Sequence, residues 1–339
     1  MPQPNNRIRD LINEAIHLAQ VAGKADSKQR RYLGGSQLGR PCDRELWYSF
    51  HWALYGDKLD PRVLRIFDRG HREEERMVAW LRLIGCDVQE YDPDTVPTLW
   101  HHPESDSYFV TLGSERVSDT TAMQCNDVTG TVHEFVARSQ GVEIPEPRQF
   151  SWVSIDGHHK GNLDGRARHV PGQIGHGVAW DDWLLLEFKT HNTKSFVNLQ
   201  NEGVYKAKRD HWVQMQRYME KRDMRLALYG AANKNDDDLY FEFVARDDTQ
   251  AHVLDMRARV AIYSTQPPRR ISNSASWHEC KWCDFKRICH YGEPMAKNCR
   301  TCVDSVPVTD GNWHCNRWNR TIPHAAEKDG CAMWKQRTD

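Results

Sequence analysis

Hydrophobic residues recur every three or four positions in several segments of the chain. This helical periodicity covers residues 6–22, 62–84 and 246–264, and it also runs through about 205–222. Residues 36–54 have helical character as well. The pattern therefore predicts a chain with several long helices.

Other segments have the pattern of β-strands. Residues 159–170 and 182–190 predict two strands joined by a glycine-rich connection, and residues 226–247 predict a hairpin that turns at an Asn-Asp run. Helices flanking a mixed central sheet indicate the α/β class. Residues 92–150 are polar and weakly periodic, so we expect strands with long surface loops there and regard the segment as a candidate insertion.

The composition limits the broad class of protein. The 339 residues suffice for one large domain or two modest ones, and 39% of them are hydrophobic, which excludes wholesale disorder. With 46 basic and 47 acidic side chains the formal net charge is −1. Any binding of nucleic acid must therefore come from a local basic strip, because there is no bulk positive charge.

The sequence shows no sign of a membrane segment. No run approaches the roughly 18 apolar residues that a membrane-spanning helix needs. The opening stretch, MPQPNNRIRD, contains no apolar signal segment. We therefore expect a soluble cytoplasmic protein with no membrane partner.

Two charged residues interrupt an apolar strand pattern in the segment WLLLEFKT. Because side chains alternate across a strand, Glu187 and Lys189 should share one face while Phe188 points into the packing. Upstream, KGNLDGRA places Asp164 beside small residues that permit close backbone approach. If the two strands pair, both carboxylates can converge on one hard cation, for which Mg²⁺ or Mn²⁺ is better suited than zinc.

Such a site would support chemistry at phosphorus. The cation would polarise a phosphoryl oxygen and acidify a bound water, while Lys189 would orient that water or neutralise developing charge. An ordinary surface ion pair on an edge strand is the alternative for Glu187 and Lys189. The apolar run before them and the preceding G-x-x-D motif favour the functional interpretation.

Three further residues join this set by their spacing. His71 lies on the same helical stripe as Phe67 and Val78, so we expect it to face inward, where a satisfied core histidine is the alternative. Gln214 and Tyr218 are spaced i, i+4 and share one helical face. An ordinary half-buried pair would show the same spacing.

Taken together, these segments resemble the RecB-type branch of the PD-(D/E)XK nuclease superfamily. The resemblance rests on four motifs in the family's order, GHREEERMVAWL, GNLD, LLEFK and QMQRY. It covers about residues 31–290, except 92–150. The resemblance implies a restriction-endonuclease-like core, in which helices flank a mixed central sheet.

The resemblance also implies a role for each motif residue. The ligands of Mg²⁺ or Mn²⁺ would be His71, Asp164, Glu187 and the backbone carbonyl of Phe188. Lys189 would be the catalytic lysine, and Gln214 and Tyr218 would support it or contact DNA. With Asp164 and Glu187, these three complete the implied catalytic set.

Several basic residues could form a path for DNA phosphates, although most such charges are merely solvated. The hairpin after QMQRY resembles the corresponding hairpin in phage members of the family, which places Lys234 near the substrate channel. Other basic residues flank the histidine helix and follow the E-x-K strand. The residues expected to contact DNA are Arg72, Lys194, Lys206 and Lys234.

Seven of the ten cysteines lie near the C-terminal end of the sequence. In a reduced compartment, clustered C-x-x-C pairs favour metal over disulfides. Cys280, Cys283 and Cys289 need a fourth thiolate, for which Cys42 is the candidate. The arrangement resembles the iron–sulfur staple of the AddB-type and CRISPR-adaptation nucleases, which implies a 4Fe-4S cluster tying the chain ends together. Zinc in the same four thiolates is the alternative.

A second set of cysteines lies further along the chain. Their spacing suits a tetrahedral zinc knuckle or ribbon, with His314 or His324 as a substitute ligand and a folding staple as the preferred role. The expected zinc ligands are Cys299, Cys302, Cys315 and Cys331. Tryptophans scattered among the cysteines would supply a small core. These are Trp277, Trp282, Trp313 and Trp318.

The hypothesis is a metal-dependent DNA nuclease, in the first place an exonuclease acting on DNA ends or single strands. We expect a nuclease domain over 1–292 and a small zinc-binding module over 293–339. The phage-like phrases suggest recombination or DNA processing in the cytoplasm of a host, with a homo-oligomer or a recombination protein as a further partner. The alternatives are a catalytically inactive nucleic-acid-binding module of a recombination or CRISPR-related complex, and a purely structural zinc protein.

Overall fold

The computed structural model describes residues 6–22, 29–56, 60–118, 121–125 and 130–337. Helices and strands are interspersed along these ranges, which gives a mixed α/β architecture. A search of the described helices finds none that is long and apolar enough to cross a membrane.

The secondary structure is as follows. The helices are α1 (Asn6–Ala22), α2 (Asp43–Phe50), α3 (Pro61–Leu83), α4 (Gly130–Ser139), α5 (Thr193–Ala207), α6 (Arg209–Lys221), α7 (Asp248–Tyr263), α8 (His278–Lys281) and α9 (Lys286–Tyr291). The strands are β1 (Leu33–Gly34), β2 (Asp87–Gln89), β3 (Pro97–His102), β4 (Ser107–Leu112), β5 (Met123–Gln124), β6 (Ser151–Ser154), β7 (His159–Asn162), β8 (Gly165–Arg168), β9 (Leu184–His191), β10 (Leu226–Asn233), β11 (Leu239–Ala245), β12 (Ser305–Pro307), β13 (Trp313–Cys315) and β14 (Arg320–Ile322).

A five-stranded mixed sheet forms the centre of the molecule, in the order β11-β10-β9-β8-β2. Strands β9 and β10 run parallel, with Glu187 opposite Tyr229, and the other neighbours are antiparallel. Every residue of β10 is buried, as are the first five of β9. Near-continuous apolar runs of this kind are typical of strands covered on both faces.

Helices cover both faces of this sheet. Leu185 and its neighbours on one face pack into the larger core with α6 and α7, while Leu186 and Phe188 pack with α3 on the other face. The ring of Phe188 lies directly over Gly230 of the adjacent strand. A methyl group at Gly230 would come within 2.8 Å of that ring, so only glycine permits this close packing.

The strand expected at residues 159–170 is in fact two strands in different sheets. Strand β7 pairs with β1 and β6, whereas β8 pairs with β9 and β2 in the central sheet. Leu163 and Asp164 form the step between them, and Leu163 is buried in the larger core. A periodicity of two continues through such a step, because alternation alone does not specify the pairing partner.

The helix expected at about 205–222 is also divided. Helix α5 ends at Ala207, and α6 begins at Arg209 after Lys208 adopts a non-helical conformation (φ −140°, ψ 59°). The sequence analysis did not predict the first part of α5. By contrast, the structure confirms the predicted helices at 62–84 and 246–264 within two residues, and it confirms the β10–β11 hairpin.

The C-terminal tail packs against the main body of the protein. Trp313 is fully buried within the larger core, and Arg300 forms a fully buried ion pair with Glu327 at 2.7 Å. The Arg300 guanidinium also lies 3.7 Å from the ring centroid of Trp52. The expectation of a core of tryptophans is therefore correct for Trp313 alone. Trp277, Trp282 and Trp318 are 45%, 80% and 53% exposed.

Within residues 92–150, the described parts form a three-stranded sheet (order β4-β3-β5) and helix α4. The two ends of the segment lie side by side, because the amide of Asp92 donates to the carbonyl of Arg148 at 2.8 Å. Adjacent ends are what an insertion requires, and the assignment as an insertion stays a prediction. Residues 119–120 and 126–129 of this segment lie outside the described residues.

Candidate active site

Strand β9 and the step before β8 bring two carboxylates and a lysine together. Lys189 Nζ contacts Glu187 Oε1, lies 3.9 Å from Asp164 Oδ2 and donates to the carbonyl of Phe188 at 2.9 Å. As strand alternation predicted, Glu187 and Lys189 share one face. Glu187 is fully buried, whereas the Lys189 side chain is 27% exposed and therefore reaches solvent.

Asp164 lies in the break between β7 and β8, and this break determines its position. Its Oδ2 atom accepts a hydrogen bond of 3.0 Å from the amide of Phe188, which ties the step to the middle of β9. Because β8 pairs with β9 from Gly165 onward, the carboxylate lies beside the neighbouring strand. The two acidic residues thus converge although they are far apart in sequence.

Burial makes the electrostatics of this cluster unusual. Loss of solvation raises the pKa of Glu187 to about 8, against the opposing effect of the Lys189 ammonium. Burial by itself lowers the pKa of Lys189, but the carboxylates of Glu187 and Asp164 outweigh it and raise that pKa overall. The ammonium is therefore held in its charged form beside a carboxyl group that is easily protonated.

A third acidic residue, Glu74 on α3, belongs to the same cluster and was missed by the sequence analysis. Burial and then the charge of Asp164 raise its pKa, while Lys189 and His71 act in the opposite direction. Its neighbours Glu73 and Glu75 differ, because the first pairs with Arg76 at 2.8 Å and the second is exposed. The only signal in the sequence was the spacing of Glu74, three residues after His71.

His71 does not face inward, so that part of the prediction is wrong. Its side chain is 75% exposed, and its Nδ1 atom lies 3.4 Å from Glu74 Oε2. Phe67 on the same stripe is 49% exposed. The buried stripe of α3 instead runs through Leu64, Met77, Val78 and Leu81. His71 is nevertheless at the cleft, beside an acid that interacts with Asp164.

Gln214 and Tyr218 both approach the cluster from α6. Gln214 Nε2 donates to Glu187 Oε2 at 2.8 Å, so it holds the second oxygen of the buried carboxylate. Tyr218 is buried, and its ring packs against Gly35 and Gly161, where an added methyl group would lie 2.4 and 2.7 Å from it. The charge of Glu187 adds to burial in raising the pKa of Tyr218.

An open cleft of about 850 Å³ lies against this cluster. His71 and Glu74 line one side, and Phe188, Lys189 and Thr190 line the other. The cleft gives a ligand access from solvent to the exposed part of Lys189. It can therefore admit a phosphate group to the exposed part of Lys189, beside Glu74.

The likeness of this chain to known proteins is low. No protein-family model matches the sequence, and no curated protein sequence matches it. An alkaline exonuclease from Laribacter hongkongensis is 13% identical, with a TM-score of 0.33 over 73% of this chain and 90% of its own. A protein called SSO0001 is 14% identical, with a TM-score of 0.38 over 82% of this chain and 95% of its own.

A phage-related exonuclease from Haemophilus somnus 129PT is 16% identical, with a TM-score of 0.24 over 38% of this chain and 62% of its own. At these identities and TM-scores the likenesses do not determine a function. The function has to be argued from the side chains of the site.

The donor set suits a small hard cation. As the side chains stand, a search of the described residues finds no group of three or more His, Cys, Asp or Glu residues arranged to hold a metal ion. However, Glu187 Oε1 is buried and accepts no hydrogen bond of ordinary geometry, although the Lys189 ammonium touches it. A buried carboxylate oxygen of this kind, close to two further acids, matches the oxygen ligands that Mg²⁺ and Mn²⁺ prefer.

The four basic residues expected to contact DNA lie in three different elements of the structure. Arg72 pairs with Asp68 at 3.2 Å on the exposed side of α3. Lys194 and Lys206 are exposed on α5. Lys234 lies in the β10–β11 turn, where its carbonyl accepts a hydrogen bond of 2.7 Å from Arg69 Nη2 of α3. Arg72 thus belongs to the helix that lines the cleft, and Lys234 is tied to the same helix through its backbone carbonyl.

The sequence did not predict a network of hydrogen bonds at the end of β9. The hydroxyl of Tyr229, which lies opposite Glu187 in the sheet, is 3.0 Å from His191 Nε2 and 2.9 Å from His211 Nδ1. Burial lowers the pKa of His191 to about 4 and that of His211 to about 3. Both rings are therefore neutral near pH 7, and they act as a hydrogen-bonded brace between α6 and the two central strands.

The first cysteine set comes together in the folded chain. Cys42 precedes α2 at its N-cap position, and the other three thiols belong to the α8–α9 region. One small cavity is lined by Cys42, Cys280, Cys283 and Cys289. Arg44 Nη1 also lies 3.8 Å from Cys289 Sγ, which places a positive charge at the edge of this thiol cluster.

The second set likewise lines one cavity, of about 800 Å³, in the tail. Its members are Cys299, Cys302, Cys315 and Cys331. The two histidines considered as substitute ligands are placed elsewhere. His314 points away from Cys315 because neighbouring strand residues face opposite sides, and His324 lies 3.0 Å from Glu327 Oε1. Four thiols are therefore the better candidate set.

Proposed function

We propose that the protein is a metal-dependent DNA nuclease, and specifically an exonuclease that hydrolyses phosphodiester bonds at DNA ends or in single strands. The observation that carries the proposal is the meeting of Asp164, Glu187 and Lys189 at the edge of an open cleft. Burying these charges is costly, and perturbed buried acids at a cleft are the usual mark of a functional site. A surface ion pair, the alternative for Glu187 and Lys189, does not account for a fully buried glutamate.

In the proposed mechanism, Asp164, Glu187 and the carbonyl of Phe188 would hold Mg²⁺ or Mn²⁺, with His71 as a further ligand. When bound, such a cation polarises the phosphoryl oxygen and acidifies a water molecule. Lys189, kept protonated by its acidic neighbours, donates a hydrogen bond to the attacking water or to a phosphate oxygen. Gln214 keeps the Glu187 carboxylate in position through its hydrogen bond.

The remaining site residues support the same activity. Tyr218, buried on α6 against Gly35 and Gly161, would support Lys189, and the basic residues Arg72, Lys194, Lys206 and Lys234 would attract the DNA backbone. A part in phage-type recombination or DNA processing stays a prediction. The same holds for a cytoplasmic location and for assembly as a homo-oligomer or with a recombination protein.

Two structural metal centres accompany the nuclease in this proposal. The first cysteine set would hold a 4Fe-4S cluster, whose net negative charge the nearby Arg44 would compensate. The tail set would hold one Zn²⁺ in a tetrahedral site. Visible absorbance and metal analysis separate the outcomes, because an iron–sulfur cluster is coloured and contains sulfide, whereas zinc in the first set would leave the protein colourless.

The test is digestion of end-labelled single-stranded, double-stranded and circular DNA with Mg²⁺ or Mn²⁺, in wild type and in Lys189→Ala. We expect wild type to shorten linear DNA from its ends and to leave circles intact, and the variant to lose activity by about three orders of magnitude. Lys328→Ala, which removes an exposed lysine of the tail, is the matched control and should behave as wild type.

Two results would contradict the proposal. If Lys189→Ala keeps full activity, the lysine does not take part and the assigned centre is wrong. If wild type binds DNA but does not cleave it with either cation, the protein is an inactive DNA-binding module instead. Cleavage of circles would keep the nuclease but exclude the exonuclease.

A further inference from the structure

A second cavity adjoins the catalytic cleft at a single residue. It has a volume of about 1290 Å³ and is lined mainly by aromatic and uncharged polar side chains, and we call it the aromatic groove. The lining residues used below are Arg30, Tyr32, Trp52, Tyr55 and Phe285. Arg30 also lines the cleft beside Lys189, so the two cavities share Arg30 as a lining residue.

Arg30 is placed to hold an anion at this junction. Its side chain is exposed and, among the residues that the structure describes, it forms no hydrogen bond or ion pair. Arg30 Nη1 lies near Gly34, where an added methyl group would be 2.9 Å from it. A guanidinium without a partner beside a nuclease centre is a natural contact for a backbone phosphate.

The backbone at Arg30 is fixed from the other side of the groove. The indole of Trp52 donates to the Arg30 carbonyl at 2.8 Å, and Gln29 Nε2 donates to the carbonyl of Leu54 at 2.8 Å. Trp52 has a positive φ of 55°, which is unusual for a bulky residue, and the Arg300 guanidinium packs on its ring. Strained residues held in this way by their surroundings are concentrated at functional sites.

The aromatic rings of the groove offer surfaces for bases. Tyr55 is 66% exposed, with its hydroxyl held by the amide of Lys297 at 3.2 Å, and Tyr32 is half-buried. The ammonium of Lys160 lies 5.7 Å from the centroid of the Tyr32 ring, so a positive charge borders this part of the groove. Rings bordered by cations match single-stranded nucleic acid, in which bases stack on aromatic side chains and phosphates seek basic groups. In a duplex the bases are already stacked on one another and do not fit this surface.

We infer that the aromatic groove binds the single-stranded DNA that continues from the bond being cleaved, with Arg30 on the next phosphate and Tyr32 and Tyr55 stacked on bases. The inference rests on the proposed nuclease function and names the subsite that selects unpaired DNA. Phe285 and Asp284 form the far end of the groove, next to Cys283 of the first cysteine set.

The experiment measures equilibrium binding of fluorescent DNA in a Lys189→Ala background, in which the strand stays intact. The probes are a short oligodeoxythymidylate, an abasic backbone of the same length and a hairpin duplex. Tyr32→Ala and Tyr55→Ala should each weaken binding of the thymidylate about tenfold and leave the abasic strand unaffected. Arg30→Ala should weaken both about fivefold and lower the salt dependence by about one phosphate contact.

Matched variants separate stacking from structural effects. Tyr55→Phe keeps the ring and should bind as the parent does. Tyr91→Ala removes a tyrosine that is 41% exposed and lies outside both cavities, and it should have no effect. Tyrosine variants that lose affinity equally for the thymidylate and the abasic strand, or that lose none, would overturn the inference. So would a hairpin duplex that binds as tightly as the thymidylate and loses affinity in the same tyrosine variants.

The two proposals can fail separately. If wild type cleaves DNA but the groove variants bind the thymidylate as tightly as Lys189→Ala alone does, the inference about the groove is wrong and the proposed nuclease function is kept. If the groove variants lose thymidylate binding as expected but wild type cleaves no DNA, the proposed nuclease function is wrong and the inference about the groove is kept.

Discussion

The carboxylate–lysine site and the two cysteine sets are all candidate metal centres, yet the folded chain completes them to different degrees. Asp164, Glu187 and Lys189 are joined by ion pairs and hydrogen bonds, with Gln214 behind them. The cysteines of each set line one cavity, and Arg44 Nη1 lies 3.8 Å from Cys289 Sγ at the first of them. The two kinds of site differ in which groups balance the negative charge of the metal-binding atoms when no metal is bound.

In the carboxylate site, the Lys189 ammonium and backbone amides already compensate the acids, so the geometry exists without a cation. At the first cysteine set Arg44 Nη1 contacts Cys289 Sγ, but four thiolates repel one another unless a shared metal binds them all. We therefore expect metal to matter mainly for activity in the first case and mainly for folding in the second. The following predictions test that contrast.

The largest effect is expected from Cys280→Ser. A metal held by Cys42 and the α8–α9 cysteines closes a very long loop, and losing such a closure costs about 5 kcal/mol of unfolding free energy. We expect a large fall in Tm together with loss of bound metal, measured by calorimetry and metal analysis. Cys125→Ser, in a thiol outside both sets, is the control. Unchanged metal content and Tm in Cys280→Ser would refute a centre at this position.

Asp164→Asn should have the opposite effect, with a large loss of activity and little loss of stability. The amide oxygen can still accept the hydrogen bond from Phe188, so the step between β7 and β8 is kept. The lost charge should lower kcat/KM for DNA cleavage by about 100- to 1,000-fold, while Tm stays within about 2 °C of wild type. A fall in Tm as large as that of Cys280→Ser would show that the carboxylate site too is mainly structural.

Gly161→Ala tests the packing behind the site. An added methyl group would lie 2.6 Å from the Trp152 ring and 2.7 Å from the Tyr218 ring, so both rings must move. Overpacking of this kind costs about 1–3 kcal/mol of unfolding free energy, and displacement of Tyr218 should also reduce cleavage. Gly175→Ala is the matched control, because nothing lies within 4 Å of the added methyl group there. Equal stability of the two variants would contradict the packing at Tyr218.

The smallest effect concerns pH. Because burial raises the pKa of Glu187 to about 8, the residue is mostly protonated below that pH and must lose its proton to bind a cation. Apparent Mn²⁺ affinity, measured by titration calorimetry, should rise up to about tenfold per pH unit between 6 and 8 and then level off. Glu187→Gln should lack this dependence, and a flat profile in wild type would contradict the buried titration.

The same pKa shift has a consequence for the metal-free protein. The folded-state pKa of Glu187 lies above its ordinary value of 4.5, so its contribution to stability is complete below pH 4.5 and is lost as the pH rises through about 8. Unfolding with a metal chelator present should therefore become easier over this range in wild type, and less so in Glu187→Gln. The opposite slope would contradict the assignment.

Several features of the site followed from local sequence. Alternation along β9 places Glu187 and Lys189 on one face, and a spacing of four residues places Gln214 and Tyr218 on one face of α6. These relations depend only on the geometry of a strand or a helix. The sequence therefore predicts them wherever the element is assigned correctly.

Other features could not be predicted from the sequence. The stripe that contains His71 is regular, but a hydrophobic stripe is buried only where another element covers it, and His71 lies at the open cleft. Among Glu73, Glu74 and Glu75, only the position of α3 relative to β9 decides which carboxylate meets Asp164. The three are equivalent by composition and nearly so by spacing.

The sequence by itself determined the α/β composition of the chain, the hairpin, the long helix and the pairing of an acid with a lysine on one strand. The tertiary structure alone decided that the strand at 159–170 divides at Asp164, that Arg300 is buried against Trp52 and that Arg30 lies where two cavities meet. The physical reason is that local patterns specify the direction of a side chain relative to its own backbone. What that side chain meets depends on contacts between segments that are distant in the chain.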